Sequence, residues 1–301
     1  MTYYLLPKTS INIQDHIDIT FNDTTPPIVL SQSLSNYLST MKQKIDDYDN
    51  DWDTYKKYTN PYEFIHTSIP GKNKSVCKYK PLSRSYFKMI EIINLLKVFF
   101  DYNKSINSFH LAEGPGGFIE ALAYIRNNKN DKYIGMTIIN DADINVPGWK
   151  KTNVFLNKNK NVYIETAHDK KGDLLNINNF TYCYEKYANS MEIITADGGF
   201  DFSEDFNKQE INITQLLFCQ IAYAIIMQKK NGSFILKIFD CFMQHTIDLL
   251  YLLASFYDKV YIIKPNTSRY ANSEKYIVCK GFIFNNNSEY YYKLFHKPFS
   301  H

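Results

Sequence analysis

The stretch "HLAEGPGGFIEAL", residues 110–122, decides how the chain is read. It joins an apolar, β-rich run, "INSFHLA" (106–112), to a run with helical spacing, "FIEALAYIRNN" (118–128). Between them stand Gly114, Pro115, Gly116 and Gly117. Glycines at that density mean that the backbone bends sharply or lets a ligand come close. A strand, a glycine turn and a helix start place backbone N–H groups and a helix N-terminus beside such a ligand. The pattern is not G-x-G-x-x-G, and no acidic residue stands clearly about 20 residues further on to hold a dinucleotide ribose. A NAD-linked dehydrogenase is therefore disfavoured. On the turn alone, a structural bend and a cofactor loop are equally good readings.

Outward from the turn, the rhythm of the chain is regular. "SYFKMIEIINLLKVF" (85–99), "QLLFCQIAYAIIMQKK" (215–230) and "TIDLLYLLASFY" (246–257) carry apolar residues at helical spacing. "KYIGMTII" (132–139), "NVYIET" (161–166), "MEIITAD" (191–197), "GSFILKIF" (232–239), "KVYIIKP" (259–265) and "EKYIVCKGFIF" (274–284) read as strands. Strands alternating with helices predict an α/β fold with a mostly parallel, doubly wound sheet. The last two strands lack a full helix between them, which predicts an antiparallel strand at the C-terminal end. Residues 1–80 have weak periodicity and an acidic cluster, "KIDDYDNDWDTY" (44–55). They are expected to form an N-terminal extension packed on a main domain at 81–301.

The composition excludes several classes. With 301 residues, 45% hydrophobic and 22% charged, the chain has the balance of a globular domain. A net charge of +3 restricts any nucleic-acid surface to a local patch. The five cysteines are scattered and form no C-x-x-C pair, so neither a metal site nor a disulfide framework is expected, and the compartment is expected to be reducing and intracellular. "MTYYLLPKTS" lacks the apolar core of a signal peptide. The longest apolar run, "LLFCQIAYAIIM" (216–227), is short for a membrane span, so no membrane partner is expected.

Four polar residues stand where apolar ones belong. Lys88 lies in the helical run "SRSYFKMIEI", Asp197 ends the strand "IITAD", Lys237 interrupts "SFILKIF", and Glu274 opens the last strand. A charge within a strand is costly unless it is paired. Singly, three have ordinary explanations: Lys88 as a snorkelling surface lysine, Asp197 as a turn acid, and Glu274 as a partner of Arg269. Lys237 is harder to dismiss, because Ile235, Leu236 and Ile238 read as buried. Together, two lysines and two acids at a ligand turn could deprotonate a hydroxyl. A lysine serves as a general base where burial and a second cation lower its affinity for the proton. Attack on a sulfonium methyl would follow, a reaction that needs positioning more than covalent catalysis.

The segments "SRSYFK", "HLAEGPGGFIE", "TADGGF", "GSFILKIFD" and "KPNTSRYANSEKYIVCKGF" resemble the FtsJ-like (RrmJ) S-adenosylmethionine-dependent RNA ribose 2'-O-methyltransferases, over about residues 82–284. Within that superfamily they are most similar to the mRNA cap 2'-O-methyltransferases of eukaryotes and large DNA viruses. The resemblance implies a Rossmann-like methyltransferase sheet and S-adenosyl-L-methionine as cofactor. It implies a catalytic set Lys88, Asp197, Lys237 and Glu274, with Lys237 as the base. It implies cofactor contacts from Gly114, Pro115, Gly116, Gly117 and Phe118, from Asp173 near the adenine, from Asp197, and from Asp141 or Asp143. Arg269 and Asn272 would touch the nucleotide that receives the methyl. Capped mRNA is the implied substrate, and further capping-enzyme or transcription subunits are candidate partners. The location would be the cytoplasm, a viral factory or a virion if the protein is viral, and the nucleus otherwise.

"GKNKSVCKYKPLSRSYFK" (71–88) is basic and interleaved with tyrosines. Lys78, Lys80 and Arg84 could hold phosphates while Tyr79 and Tyr86 stack on bases. A solvated loop is the alternative. Trp149 and Tyr270 are among many aromatic candidates for a positively charged cap base. Two other readings remain open: methylation of an internal ribosomal or transfer RNA ribose, and a non-catalytic RNA-binding capping subunit. The complete set of four polar residues argues against the second.

Overall fold

A computed structural model describes residues 2–9, 13, 16–20, 26–48, 51–98, 104–140, 142, 143, 146–199 and 209–299. Within these, one eight-stranded sheet organises the chain, in the order β1-β7-β8-β6-β5-β2-β3-β4. The strands are β1 (Thr2–Leu5), β2 (Asn107–Leu111), β3 (Lys132–Met136), β4 (Val162–Glu165), β5 (Met191–Ala196), β6 (Gln228–Ile238), β7 (Tyr257–Lys264) and β8 (Lys275–Phe282). The four pairings from β4 through β3, β2 and β5 to β6 are parallel. β8 runs antiparallel to both β6 and β7, because it slots between them. The sheet is thus mostly parallel with antiparallel C-terminal strands, as the alternation of elements predicts.

The outer edge differs from expectation. β1 comes from the N-terminal extension and pairs antiparallel with β7, Tyr3 opposite Ile263. Residues 1–80 therefore complete the sheet as well as packing on it. The rest of the extension holds α1 (Gln32–Gln43), α2 (Trp52–Tyr58) and short 3-10 turns.

Alternation along the strands sorts side chains onto two faces. On one, Phe109, Ile194, Phe234, Leu236 and Ile277 pack under α6 (Ile177–Tyr187), α7 (Gln209–Met227), α8 (Gln244–Phe256) and α9 (Ser288–Phe299). On the other, Ile193, Ile235, Tyr276 and Val278 pack under α3 (Ser85–Leu96) and α4 (Gly117–Arg126), joined by Phe155 and Leu156 of α5 (Asn153–Lys158).

α7 begins seven residues before the apolar run that marks it in the sequence. At 19 residues it is long and apolar enough to cross a membrane by length and composition alone. Burial, rather than shortness, makes it a core helix: its residues from Leu216 to Met227 are all buried against the sheet and α9. Its polar start is satisfied internally, since Glu210 accepts the backbone N–H groups of Phe242 and Met243. α5, α6 and α9 add to the helices read from the sequence. α6 is rich in Asn, Thr and Tyr, weak helix formers. It is held by the Asn176 side chain, which accepts the N–H of Asn178, and by the buried stripe Phe180, Cys183 and Tyr187.

Beside the β1–β7 pairing, a buried carboxylate ties the extension to the domain. Glu63 is fully buried. It receives Arg269 at 3.0 and 2.9 Å, Arg84 at 3.0 Å, the Asn60 amide at 3.0 Å and the Thr67 hydroxyl at 2.9 Å. Burial alone would raise this carboxyl. The hydrogen bonds from Arg269, Asn60 and Thr67, with the Arg84 charge, outweigh that and hold it at about 2. Glu63→Gln should cost about 3 kcal/mol, the lower end for stranding a buried cation, because Arg269 is one-third exposed. Urea unfolding at neutral pH reads this loss. The folded value lies below the unfolded one, so the stabilisation is complete above pH ~4.5 and fades as pH falls towards 2. The gap between wild type and variant should close over that window, and a gap independent of pH would count against the clamp.

Candidate active site

Three strand ends and one helix converge beside the glycine turn. From β2 the chain proceeds outward to β3 and β4, and from β5 in the other direction to β6, so the order reverses between β2 and β5. Ligands of open α/β sheets bind at the carboxyl ends of the strands at such a reversal. The glycine turn follows β2, and Asp197 follows β5.

Strand register brings the polar residues together. Lys237 is the Cα partner of Tyr276 on β8, and Leu236 is the partner of Ala196, which places Asp197 beside Lys237. Lys237 shares the face of Ile235, and Glu274 shares that of Tyr276 and Val278, so both point to the side covered by α3. Lys88 projects from α3 and meets Glu274 at 2.7 Å, with side-chain exposures of 12% and 9%. Lys237 Nζ donates to the Asp197 backbone carbonyl at 2.7 Å and lies 3.4 Å from its carboxylate. Two half-buried cations are thus each matched to one acid. Burial alone would raise Glu274. The charges of Lys88 and Lys237, and the hydrogen bonds from Lys88 and Ser268, overcome it and hold the carboxyl at about 2.

Tyr276 ties the two pairs together. Its hydroxyl donates to Asp197 at 2.9 Å, and the Lys88 ammonium sits 5.9 Å from its ring centroid. The loop before Glu274 is fixed from α3: Glu91 accepts the N–H groups of Asn266 and Thr267, and Arg84 donates to the Thr267 carbonyl. Lys264 pins the other end through the carbonyls of Asn272 and Glu274. Burial, opposed by Glu274 and aided by Lys275 and Lys88, brings Lys264 down to about 8.

The glycine turn is roofed by residues 148–152. Thr152 donates to the Pro115 carbonyl at 2.8 Å, and Gly116 takes a φ of 108°, open to glycine alone. Glu113 closes the turn from beneath. One carboxylate oxygen accepts the N–H groups of Phe118 and Ile119, at 2.6 and 3.3 Å, in the first turn of α4. The other oxygen is buried with no partner among the described residues, as is the Trp149 indole nitrogen in the roof. Burial, and then the nearby Asp197 charge, push the Glu113 carboxyl well up.

The FtsJ-like methyltransferase family profile matches residues 81–282. The chain belongs to the FtsJ-like methyltransferase family. A cap-specific mRNA (nucleoside-2'-O-)-methyltransferase 2 of Danio rerio is 30% identical over 272 residues, which cover 82% of this chain and 34% of that protein. A cap-specific mRNA (nucleoside-2'-O-)-methyltransferase 1 of Mus musculus is 36% identical over 173 residues, 56% of this chain and 20% of that protein. The chain thus spans between a fifth and a third of the length of these relatives. A solved ribosomal RNA methyltransferase of Plasmodium falciparum aligns over 68% of this chain and all of its own, at 21% identity and a TM-score of 0.48.

Within the FtsJ-like domain, Lys88, Asp197, Lys237 and Glu274 are brought together, and Gly114–Phe118 line the adjacent turn. Asp173 lies in the loop after β4, where its carboxylate accepts the Leu175 N–H. Asp141 falls outside the described residues; Asp143 is described, and its carbonyl accepts from Lys150. The proposed RNA contacts divide. Lys78 and Lys80 are exposed. Arg84 and Arg269 are held by Glu63, and the Asn272 side chain accepts from Lys264 at 3.0 Å. Tyr79 is half exposed while Tyr86 is buried, so of the two only Tyr79 offers a stacking face. Trp149 packs into the roof of the turn, and Tyr270 is exposed.

Glu113, Tyr276, Ser268 and Lys264 were not singled out in the sequence. Glu113 could have been: it is a charge between an apolar strand and a glycine turn, the same irregularity that marks Lys237. Tyr276 shares the face of Glu274 by simple alternation. Gly114 offers a direct test of the turn. A Cβ there would stand 2.6 Å from the Gly148 carbonyl, a backbone atom that cannot swing aside. Gly114→Ala should lower stability by about 1–3 kcal/mol, measured by thermal unfolding. An unchanged midpoint would mean that the roof is not packed against the turn.

Proposed function

We propose that this chain transfers a methyl group from S-adenosylmethionine to the ribose 2'-oxygen of a cap-proximal mRNA nucleotide. The observation that carries the reading is the pair of lysine–carboxylate contacts, Lys88–Glu274 and Lys237–Asp197, gathered at the carboxyl ends of β5 and β6 and the amino end of the antiparallel β8, next to the glycine turn. The similarity to cap-specific relatives supports the choice of capped mRNA.

The residues present fit the cofactor. The turn brings backbone within reach, and its two buried polar atoms without partners, on Glu113 and Trp149, are what a polar ligand would satisfy. When bound, S-adenosylmethionine supplies an electrophilic sulfonium methyl. Gly114, Pro115, Gly116, Gly117 and Phe118 would hold it against the start of α4, with Asp173 and Asp197 at its flanks. Lys237, as its neutral amine after losing a proton to solvent, takes the proton of the ribose 2'-hydroxyl. Asp197 fixes that lysine through its carbonyl and its carboxylate, and Tyr276 fixes Asp197 in turn. Lys88 brings a second positive charge to the oxygen as it becomes anionic, and Glu274 keeps that ammonium in place. α3 packs on this face of the sheet, and the four side chains keep only 9–17% of their surface exposed, which limits access of water. Lys78 and Lys80, flanking Tyr79, would carry the RNA phosphates toward Lys88.

Lys237→Ala should reduce methyl transfer at least a thousandfold while leaving cofactor affinity within about threefold, since a positioned general base contributes ~10²–10⁴ and orientation adds to it. Transfer is measured from labelled cofactor to three RNAs of one sequence: N7-methylguanosine-capped, unmethylated-capped and uncapped, with mass spectrometry to locate the label. Label on the cap-proximal 2'-oxygen of capped RNA alone is the expected result. Label in all three, or at an internal ribose, would move the substrate to internal RNA. Cofactor binding without any transfer would leave a non-catalytic subunit.

A further inference from the structure

A second pocket lies at the opposite end of the sheet, where the parallel strands begin. It measures about 500 Å³, within the range that holds small ligands. Val98, Ile106 and Ile193 give it an apolar floor. Lys104, Lys229, Lys230, Lys259 and Lys280 surround that floor. Glu192 and Asp258 are its acids, so five lysines against two acids leave a formal +3, as large as the net charge of the whole chain. Both acids are already matched. Glu192 pairs with Lys229 at 2.6 Å, and Asp258 with Lys8 of the extension at 3.0 Å.

The arrangement of the lysines is informative. Lys259 on β7 and Lys280 on β8 are Cα partners, so their side chains leave the same face directly opposite one another. Like charges in that position destabilise a sheet. Burial, and then the facing Lys259 ammonium, make Lys280 give up its proton more readily than an ordinary lysine. Lys280 spends one donor on the Leu96 carbonyl at the end of α3, at 2.6 Å. Lys230 and Lys259 are exposed and form no ion pair among the described residues. An anion between the strands turns this repulsion into a shared attraction. A compact multivalent oxyanion suits ammoniums gathered at one pocket from the three neighbouring strands β6, β7 and β8, and the apolar floor suits a planar base.

We propose that this pocket binds a nucleoside phosphate, with the phosphate between Lys259, Lys280 and Lys230 and the base on the floor of Val98, Ile106 and Ile193. The site is separate from the methyl-transfer site: Ser233, which lines it, and Lys237 stand on one face of β6, four residues and about 13 Å apart. The proposal therefore stands whether or not the function proposed above is correct. The nucleoside phosphate could be a free nucleotide or one residue of an RNA strand.

Calorimetric titration of the full chain, with S-adenosylhomocysteine in excess, would use inorganic pyrophosphate, uridine 5'-monophosphate and a short uncapped oligouridylate as probes. Lys230→Gln/Lys259→Gln changes only exposed side chains, so folding is not at risk. It should weaken uridine monophosphate binding at least about tenfold. Lys259→Arg should retain binding, and Lys78→Gln/Lys80→Gln should leave it unchanged. Oligouridylate binding well above the mononucleotide, with the advantage lost in the double variant, would identify RNA as the source. Equal binding of the two would identify a free nucleotide. Wild type and double variant binding all three probes alike, or wild type binding none, would overturn the proposal.

Discussion

The arrangement depends on the need to match a lysine inside β6. Ile235, Leu236 and Ile238 are buried around Lys237, so its charge has to be matched where the strand ends. Asp197 supplies that match because β5 runs parallel to β6 with Ala196 beside Leu236. Tyr276 reaches the same carboxylate because β8 lies on the other side of Lys237. Three strands are thus tied at their ends through one acid. The placement of β8 between β6 and β7 is what gives the candidate site its third wall.

A second matching problem, for Lys88, recruits the helix layer. Glu274 answers it, and the loop leading to Glu274 is held by Glu91 of α3 and by Arg84 just before that helix. Arg84 is then fixed by Glu63 from the extension. The chain of contacts runs from residue 63 through 84 and 267 to 274 without leaving buried or half-buried groups. It gives the extension a mechanical role in the site that is separate from any substrate contact.

Much of this was legible because strands and charges follow simple rules. A charge in an apolar strand is expensive, so Lys237 and Asp197 stood out, and the alternation of elements fixed the sheet type. What stayed hidden depends on pairing between distant segments. β1 is four residues of ordinary sequence, and its place at the edge follows from the exposed side of β7, which no local pattern records. Arg84 sits in a basic run and reads as a phosphate ligand, and Arg269 reads as a contact to the nucleotide that receives the methyl. The partner they share within the chain, Glu63, lies in a segment whose periodicity is weak, so nothing nearby marked it as buried. Asn272 is the same case, since the lysine that engages it arrives from the neighbouring strand.

Glu113 shows how the two kinds of information combine. Its carboxyl is driven toward the neutral acid by burial and by Asp197, while one oxygen still accepts two N–H groups at the start of α4. The other oxygen is buried with no partner among the described residues. An unmet polar atom of that kind costs about 1–3 kcal/mol, and a fold does not normally retain one in its interior. Its place beside the glycine turn gives the reason to retain it: a ligand lying in the turn would supply the partner. The Trp149 nitrogen in the roof repeats the pattern from above. The same two atoms that would be a fault in a closed core would serve, at a glycine turn on the reversal point of the sheet, as polar contacts to the proposed cofactor.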